Sequence, residues 1–211
     1  MQYLSKAKSY GDIYSIMRSK ASLQKPKLEG TTNKTFRLPN GILEVLSADA
    51  EENGTTVTDL LVSILTRYVD FDREAKKFGF VTISKNTFRA LLDSLPDEKV
   101  QEVALAQSVV IEEFVNFWFR KRDIDSVLAT MDIVSKYQKV FEYTVSRNDR
   151  EMTITIRSDF GRKFIRFIRT AWERGMASTL GVTPRVEEEE HQLTFVLPIS
   201  ETKSLLTDLA T

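Results

Sequence analysis

The chain has no cysteine and a single histidine, His191. Disulfides and thiolate metal sites are excluded, and one histidine argues against a His-rich metal centre or a histidine-based catalytic triad. A reducing cytoplasm is the compartment that fits most easily. With eight glycines and five prolines in 211 residues there is no low-complexity tract, and no internal repeat is visible. Long apolar runs are missing too. The most apolar stretch, SVVIEEFVNFWF (108–119), is broken by Glu112 and Glu113 and falls short of the ~20 residues a membrane span needs. The first residues lack a basic region followed by an apolar one, so no secretion signal is expected. Nor is there a nucleophile–base pair, a Gly-rich phosphate loop or a spaced carboxylate pair in a pocket pattern. An enzyme is not expected, and no cofactor is implied.

An excess of charge of one sign is absent overall, with 30 basic and 30 acidic residues. The distribution is uneven. Residues 1–38 hold eight basic side chains, Lys6, Lys8 and Lys34 among them, against Asp12 and Glu29. A basic arm, residues 1–30, ahead of a slightly acidic body suggests an anionic partner. The composition, 42% hydrophobic and 28% charged, is that of a globular protein.

NKTFRLPNG (33–41) alternates like a half-buried strand. Asn33, Thr35 and Arg37 fall on one side, Lys34, Phe36 and Leu38 on the other. No second strand follows at hairpin distance. Residues 42–54 read as a helix with Ile42, Leu43, Leu46 and Ala50 on one face, stopped at Asn53-Gly54. Thr56 and Asp59 have capping-box spacing. They open a second helix, to about Lys77, along the stripe Val57, Leu60, Leu61, Ile64, Leu65, Tyr68 and Val69.

Residues 31–78, one strand and two helices, are too few to bury a stable core alone. They also leave a strand edge open, which proteins rarely do. The economical solution is a twofold dimer in which strand 32–38 pairs antiparallel with its symmetry mate. Phe36, Leu38, Leu61 and Leu65 would then form the dimer core. Asn33, Thr35 and Arg37 would face outward on a two-stranded ribbon, which fits the DNA major groove.

Through Arg37 and Pro39 at the strand end, the AEENG turn at 50–54 and the Thr-Val opening of the second helix, the chain resembles the ribbon-helix-helix DNA-binding family of the Arc and Met repressors. The resemblance covers about residues 31–72 and departs at Lys34, where the inward side is usually apolar. It implies base contacts from Asn33, Thr35 and Arg37. It also implies phosphate contacts at the second-helix N-terminus, Thr55, Thr56, Val57 and Thr58, where unpaired N–H groups and the helix dipole favour an anion. Lys34, Lys6 and Lys8 would add phosphate contacts. The expected partners are double-stranded DNA and a second copy of the chain, with higher oligomers on DNA open. A small-molecule effector has no residue signature. The competing reading is a protein-interaction or antitoxin-like module that uses the ribbon-helix-helix for dimerisation.

Residues 80–211 read as a separate α+β domain that senses an effector or adds dimer contacts. A short strand FVTIS (80–84) precedes helices at 85–94, about 97–120 and from Asp123 or Asp125 to about Lys139. A hairpin of 140–147 and 150–157 follows, with its turn at Asn148-Asp149, then a helix over 159–180. A last hairpin pairs 182–187 with 192–199. The aromatic stripes Phe114, Phe117, Trp118, Phe119 and Phe160, Phe164, Phe167, Trp172 read as core before pocket. EEEEH (187–191) alternates sides, so it presents too few carboxylates on one face for Ca²⁺ or Mg²⁺. Arg162, Lys163, Arg166, Arg169 and Arg174 along one helix read as a solvated face, with a phosphate-contacting face as the alternative.

Overall fold

The computed structural model describes residues 30–198. The basic arm, with Lys6 and Lys8, and the end of the chain lie outside the described residues. Within them the protein is α+β, with helices packed on one face of a four-stranded antiparallel sheet.

Helix α1 (Asn40–Glu52) starts where Pro39 fixes an extended entry. It stops as its sequence dictates. Gly54 takes φ +62°, its N–H binds the Glu51 carbonyl at 3.1 Å, and the Thr55 N–H binds the Ala50 carbonyl at 2.9 Å. This double bond around a left-handed glycine satisfies the last carbonyls of the helix. Helix α2 (Val57–Arg67) follows at once, capped by Thr56. It does not continue as a plain α-helix. Tyr68–Asp72 is a π-helical turn, in which the Arg73 N–H reaches the Tyr68 carbonyl five residues back. The short helix α3 (Arg73–Ala75) then brings the chain to Gly79, at φ +68°.

Two expected strands are not formed among the described residues. Residues 31–39 have no regular secondary structure there, and every strand of the sheet comes from residues 142–198. Residues 80–84 likewise form no strand. Phe80 turns into an aromatic cluster while Val81 stands 85% exposed, so side-chain burial and not a hydrogen-bond ladder holds this segment.

Ser84 caps α4 (Lys85–Ser94), its hydroxyl accepting the Thr87 N–H at 3.2 Å. Pro96 precedes α5 (Asp97–Phe119), which ends on left-handed Arg120. Asp123 caps α6 (Ile124–Ile133), which passes into a second π-helical turn, Val134–Gln138. Strands β1 (Glu142–Arg147) and β2 (Glu151–Arg157) form the expected hairpin. The Asn148 side-chain carbonyl closes its turn by accepting the N–H groups of Arg150 and Glu151 at 2.9 and 2.8 Å. Helix α7 (Arg162–Leu180) crosses to β3 (Arg185–Glu188) and β4 (Gln192–Pro198), and the sheet order is β1-β2-β4-β3.

The core follows from strand alternation. Met152, Ile154 and Ile156 on β2 stand opposite Leu197, Phe195 and Leu193 on β4, and all six are buried. The opposite face carries Thr153, Thr155 and Thr194, which are half-buried. Helices α5 and α7 make the most extensive helix–helix contact. Their approach requires a glycine: a Cβ on Gly175 would lie 3.1 Å from a methyl of Ile111. The aromatic stripes are core, as read. Phe160, Phe164 and Trp172 are buried in the main cluster, while Phe114 and Trp118 join Phe71, Ile133 and Tyr137 in a second.

Candidate nucleic-acid interface

The sequence singled out two pieces of the N-terminal unit, segment 31–39 and the opening of α2. In the first, Asn33, Lys34, Thr35, Phe36, Arg37 and Leu38 are all exposed. Phe36, expected to face a core, is 70% exposed, and Leu65 is 54% exposed. Leu38 is also exposed and Leu61 half-buried. Ile42, Leu43, Val45, Val62 and Ile64 extend the uncovered apolar surface over both helices. Ala50 is the one buried residue of α1, and α2 has none.

At the opening of α2, Thr56 and Asp59 bind each other. The Thr56 hydroxyl accepts the Asp59 N–H at 3.1 Å and donates to the Asp59 carboxylate at 2.7 Å. The first intrahelical bond runs from the Leu60 N–H to the Thr56 carbonyl. The N–H groups of Val57 and Thr58 therefore precede the ladder. Thr55 and Thr58 are exposed and add their hydroxyls, whereas Val57 is half-buried.

The charge around this end is mixed. Residues 30–67 hold three cations, Lys34, Arg37 and Arg67, against five carboxylates, Glu44, Asp49, Glu51, Glu52 and Asp59. Lys34 and Arg37 are the cations on segment 31–39. Asp59, in the first turn, opposes a phosphate at this end, and the structure puts its carboxylate on the Thr56 hydroxyl.

On the arginine-bearing helix α7, Lys163, Arg166 and Arg169 have partners within the chain. Arg166 pairs with Asp97 and lies 3.6 Å from Glu188. Arg169 binds Glu188 at 2.9 Å and approaches Glu173 at 3.5 Å. Lys163 donates to the Asp93 and Leu95 carbonyls at 2.8 and 2.6 Å, closing the C-terminus of α4. Glu188 of the acidic run is thus an ion-pair partner, and its hydrogen bond holds the Arg169 guanidinium protonated beyond its ordinary value. These pairs line a cleft of about 670 Å³. A second, open cleft of about 1070 Å³ has four cationic and four acidic side chains on its wall.

Sequence reasoning missed one buried polar site. In the first π-turn Asp70 and Phe71 are buried, and Glu74 follows in α3, also buried. The Tyr137 hydroxyl donates to Asp70 at 2.9 Å, and the Tyr137 ring stacks on Phe71 at 5.6 Å. Glu74 meets Arg73 at 2.8 Å and Lys77 at 2.6 Å. Burial first, then the Asp70 hydrogen bond, push the Tyr137 phenol above its ordinary range. Among the described residues no helix is long and apolar enough to cross a membrane. Compared with protein-family models, with curated proteins and with solved structures, the chain has no match.

Proposed function

We propose that the protein is a sequence-specific DNA-binding regulator that acts as a homodimer. Residues 32–38 of two copies form an antiparallel ribbon, and the ribbon enters the major groove. Asn33, Thr35 and Arg37 read base edges, and Lys34 with the opening of α2 holds phosphates. The observation that carries this reading is the pairing of two vacancies in one segment. Residues 31–39 have no strand partner among the described residues, and the two helices behind them leave Phe36, Leu38, Ile42, Leu43 and Leu65 uncovered. A second copy of the same segment satisfies both at once, supplying backbone hydrogen bonds to the edge and an apolar face to the helices.

A second reading draws on the acidic balance of residues 30–67. There the helices pair two chains and the body grips a partner protein without DNA. Duplex selection from a random pool at low salt, with oligomeric state measured by sedimentation, separates the two. A dimer that enriches a repeated half-site supports DNA regulation. A dimer that binds no duplex at low salt sinks it and leaves the protein-interaction reading.

A further inference from the structure

The sheet, ordered β1-β2-β4-β3, has two edges, and the chain treats them differently. β3 is four residues long, and Arg185, Glu187 and Glu188 among them are charged. A short, charged edge discourages a further strand. β1 carries neither device. It is six residues long, holds charge only at its ends, Glu142 and Arg147, and keeps one unbroken register with β2. Its interior, Tyr143-Thr144-Val145-Ser146, is uncharged and free of proline, and every residue of β1 except Tyr143 is exposed.

The hairpin fixes which backbone groups point outward. The Asn148 N–H binds the Glu151 carbonyl at 3.0 Å. At two-residue steps from it, Ser146, Thr144 and Glu142 turn their N–H and C=O groups toward β2. Tyr143, Val145 and Arg147 therefore turn theirs away from β2. Their side chains lie on the helix-covered face, since they stand opposite the buried Ile156, Ile154 and Met152. Tyr143 reaches into that layer, its hydroxyl donating to the Leu128 carbonyl at 3.3 Å. Val145 does not, and is left 41% exposed at the margin of the core.

We infer that β1 is a docking edge for the same strand of a second copy, laid antiparallel about a twofold axis at Val145. That register sets Val145 on Val145, Tyr143 on Arg147 and Thr144 on Ser146. Every outward N–H and C=O of Tyr143, Val145 and Arg147 then meets its complement. The two valines cover each other's exposed flank, and an arginine faces a tyrosine ring on either side of them. Charge selects the same arrangement. Antiparallel copies put Glu142 at the end where the other strand carries Arg147, whereas parallel copies would set like charges together. An axis one residue earlier, at Thr144, would put Arg147 opposite Phe141, which precedes the strand. A pair of six-residue strands is far smaller than the ~800 Å² per partner of a stable interface, so the contact joins chains already held close rather than dilute ones. It lies outside residues 31–67 and stands whether or not that unit binds DNA.

The chain has no cysteine, so a thiol placed in β1 reports on this contact alone. Thr144 and Ser146 are exposed on the face away from the helices. The register sets them opposite each other as a non-hydrogen-bonded pair, ~4.5 Å between Cα atoms and inside disulfide reach. Like positions stand a diagonal apart, ~7–8 Å, beyond that reach. Full-length Thr144→Cys and Ser146→Cys chains, concentrated and oxidised together, are expected to form a disulfide-linked dimer several-fold faster than either alone. Val145→Pro added to both removes an N–H that points away from β2 and leaves the hairpin ladder whole. It is expected to abolish the excess linking while circular dichroism keeps the signal of the fold. If the proline chain unfolds, Val145→Lys, which brings two ammonium groups face to face on the axis, takes its place with the same expected loss. Equal rates in the mixture and in each chain alone, faster linking of Thr144→Cys by itself, or linking that survives the change at Val145 overturns the inference.

Discussion

Thr56 and Asp59 hold each other twice at the head of α2, hydroxyl to backbone N–H at 3.1 Å and hydroxyl to carboxylate at 2.7 Å. The pair closes the helix end that the sequence marked for phosphate, with its own carboxylate already beside the dipole. Thr56→Ala removes both bonds and is expected to cost about 1 kcal/mol of stability. Thr56→Asn, another cap former, should recover most of it. Urea unfolding monitored by circular dichroism measures both.

Asp59→Asn keeps the shape of that side chain and removes its charge from the first turn. On the DNA-binding reading it should tighten duplex binding several-fold at low salt, the gain fading as salt screens the phosphates. Weaker binding by the Asn variant would place phosphate elsewhere.

Arg37→Ala is expected to cost about 1–3 kcal/mol of duplex affinity and to relax base preference at one position of the site. Lys34→Ala should weaken all sequences alike and flatten the salt dependence. Fluorescence anisotropy on matched and mismatched duplexes separates the two. Equal effects of both variants on every duplex would remove Arg37 from base readout.

Leu65→Glu places a charge on an apolar side chain that is 54% exposed in the single chain. A surface substitution of this kind changes the stability of a monomer little; one in a dimer core dissociates the dimer. Sedimentation is expected to show a monomer for Leu65→Glu and an unchanged dimer for Val81→Lys. A dimer that survives Leu65→Glu places the twofold contact on another face.

Tyr137 carries a pH dependence of stability. Its phenol is raised above the ordinary 10.0 by burial and by Asp70. The protonated form is thus favoured in the folded chain. The stability it contributes is fully present below pH 10 and is lost as pH rises toward the elevated folded value. Phenolate absorbance should show Tyr137 titrating above the ordinary 10.0, and Tyr137→Phe should remove that step together with its part of the alkaline loss of stability. A Tyr137 that titrates at the ordinary 10.0 would contradict the buried contact.

The α+β class, the hairpin at Asn148 and the cap Thr56 were legible because each is a local matter. Period-2 and helical spacing, a turn residue and a hydroxyl at the right offset decide them within a few residues. Glu188 was not legible as an ion-pair partner, nor Arg166 and Arg169 as its mates, because their pairing depends on α7 crossing behind β3. Segment FVTIS has the composition of a strand, yet strand formation needs a neighbour, and tertiary packing gave Phe80 an aromatic cluster instead.

The sequence by itself determined where α1 stops and α2 starts and which residues alternate along segment 31–39, since backbone propensity and side-chain spacing act over short range. Only the tertiary structure decided that the first two helices stay almost unburied in one chain and that they join the body through Tyr68–Asp72, with Tyr137 on Asp70. That contact spans 67 residues, and no local pattern encodes which distant hydroxyl will meet a buried carboxylate; the packing of the whole core does.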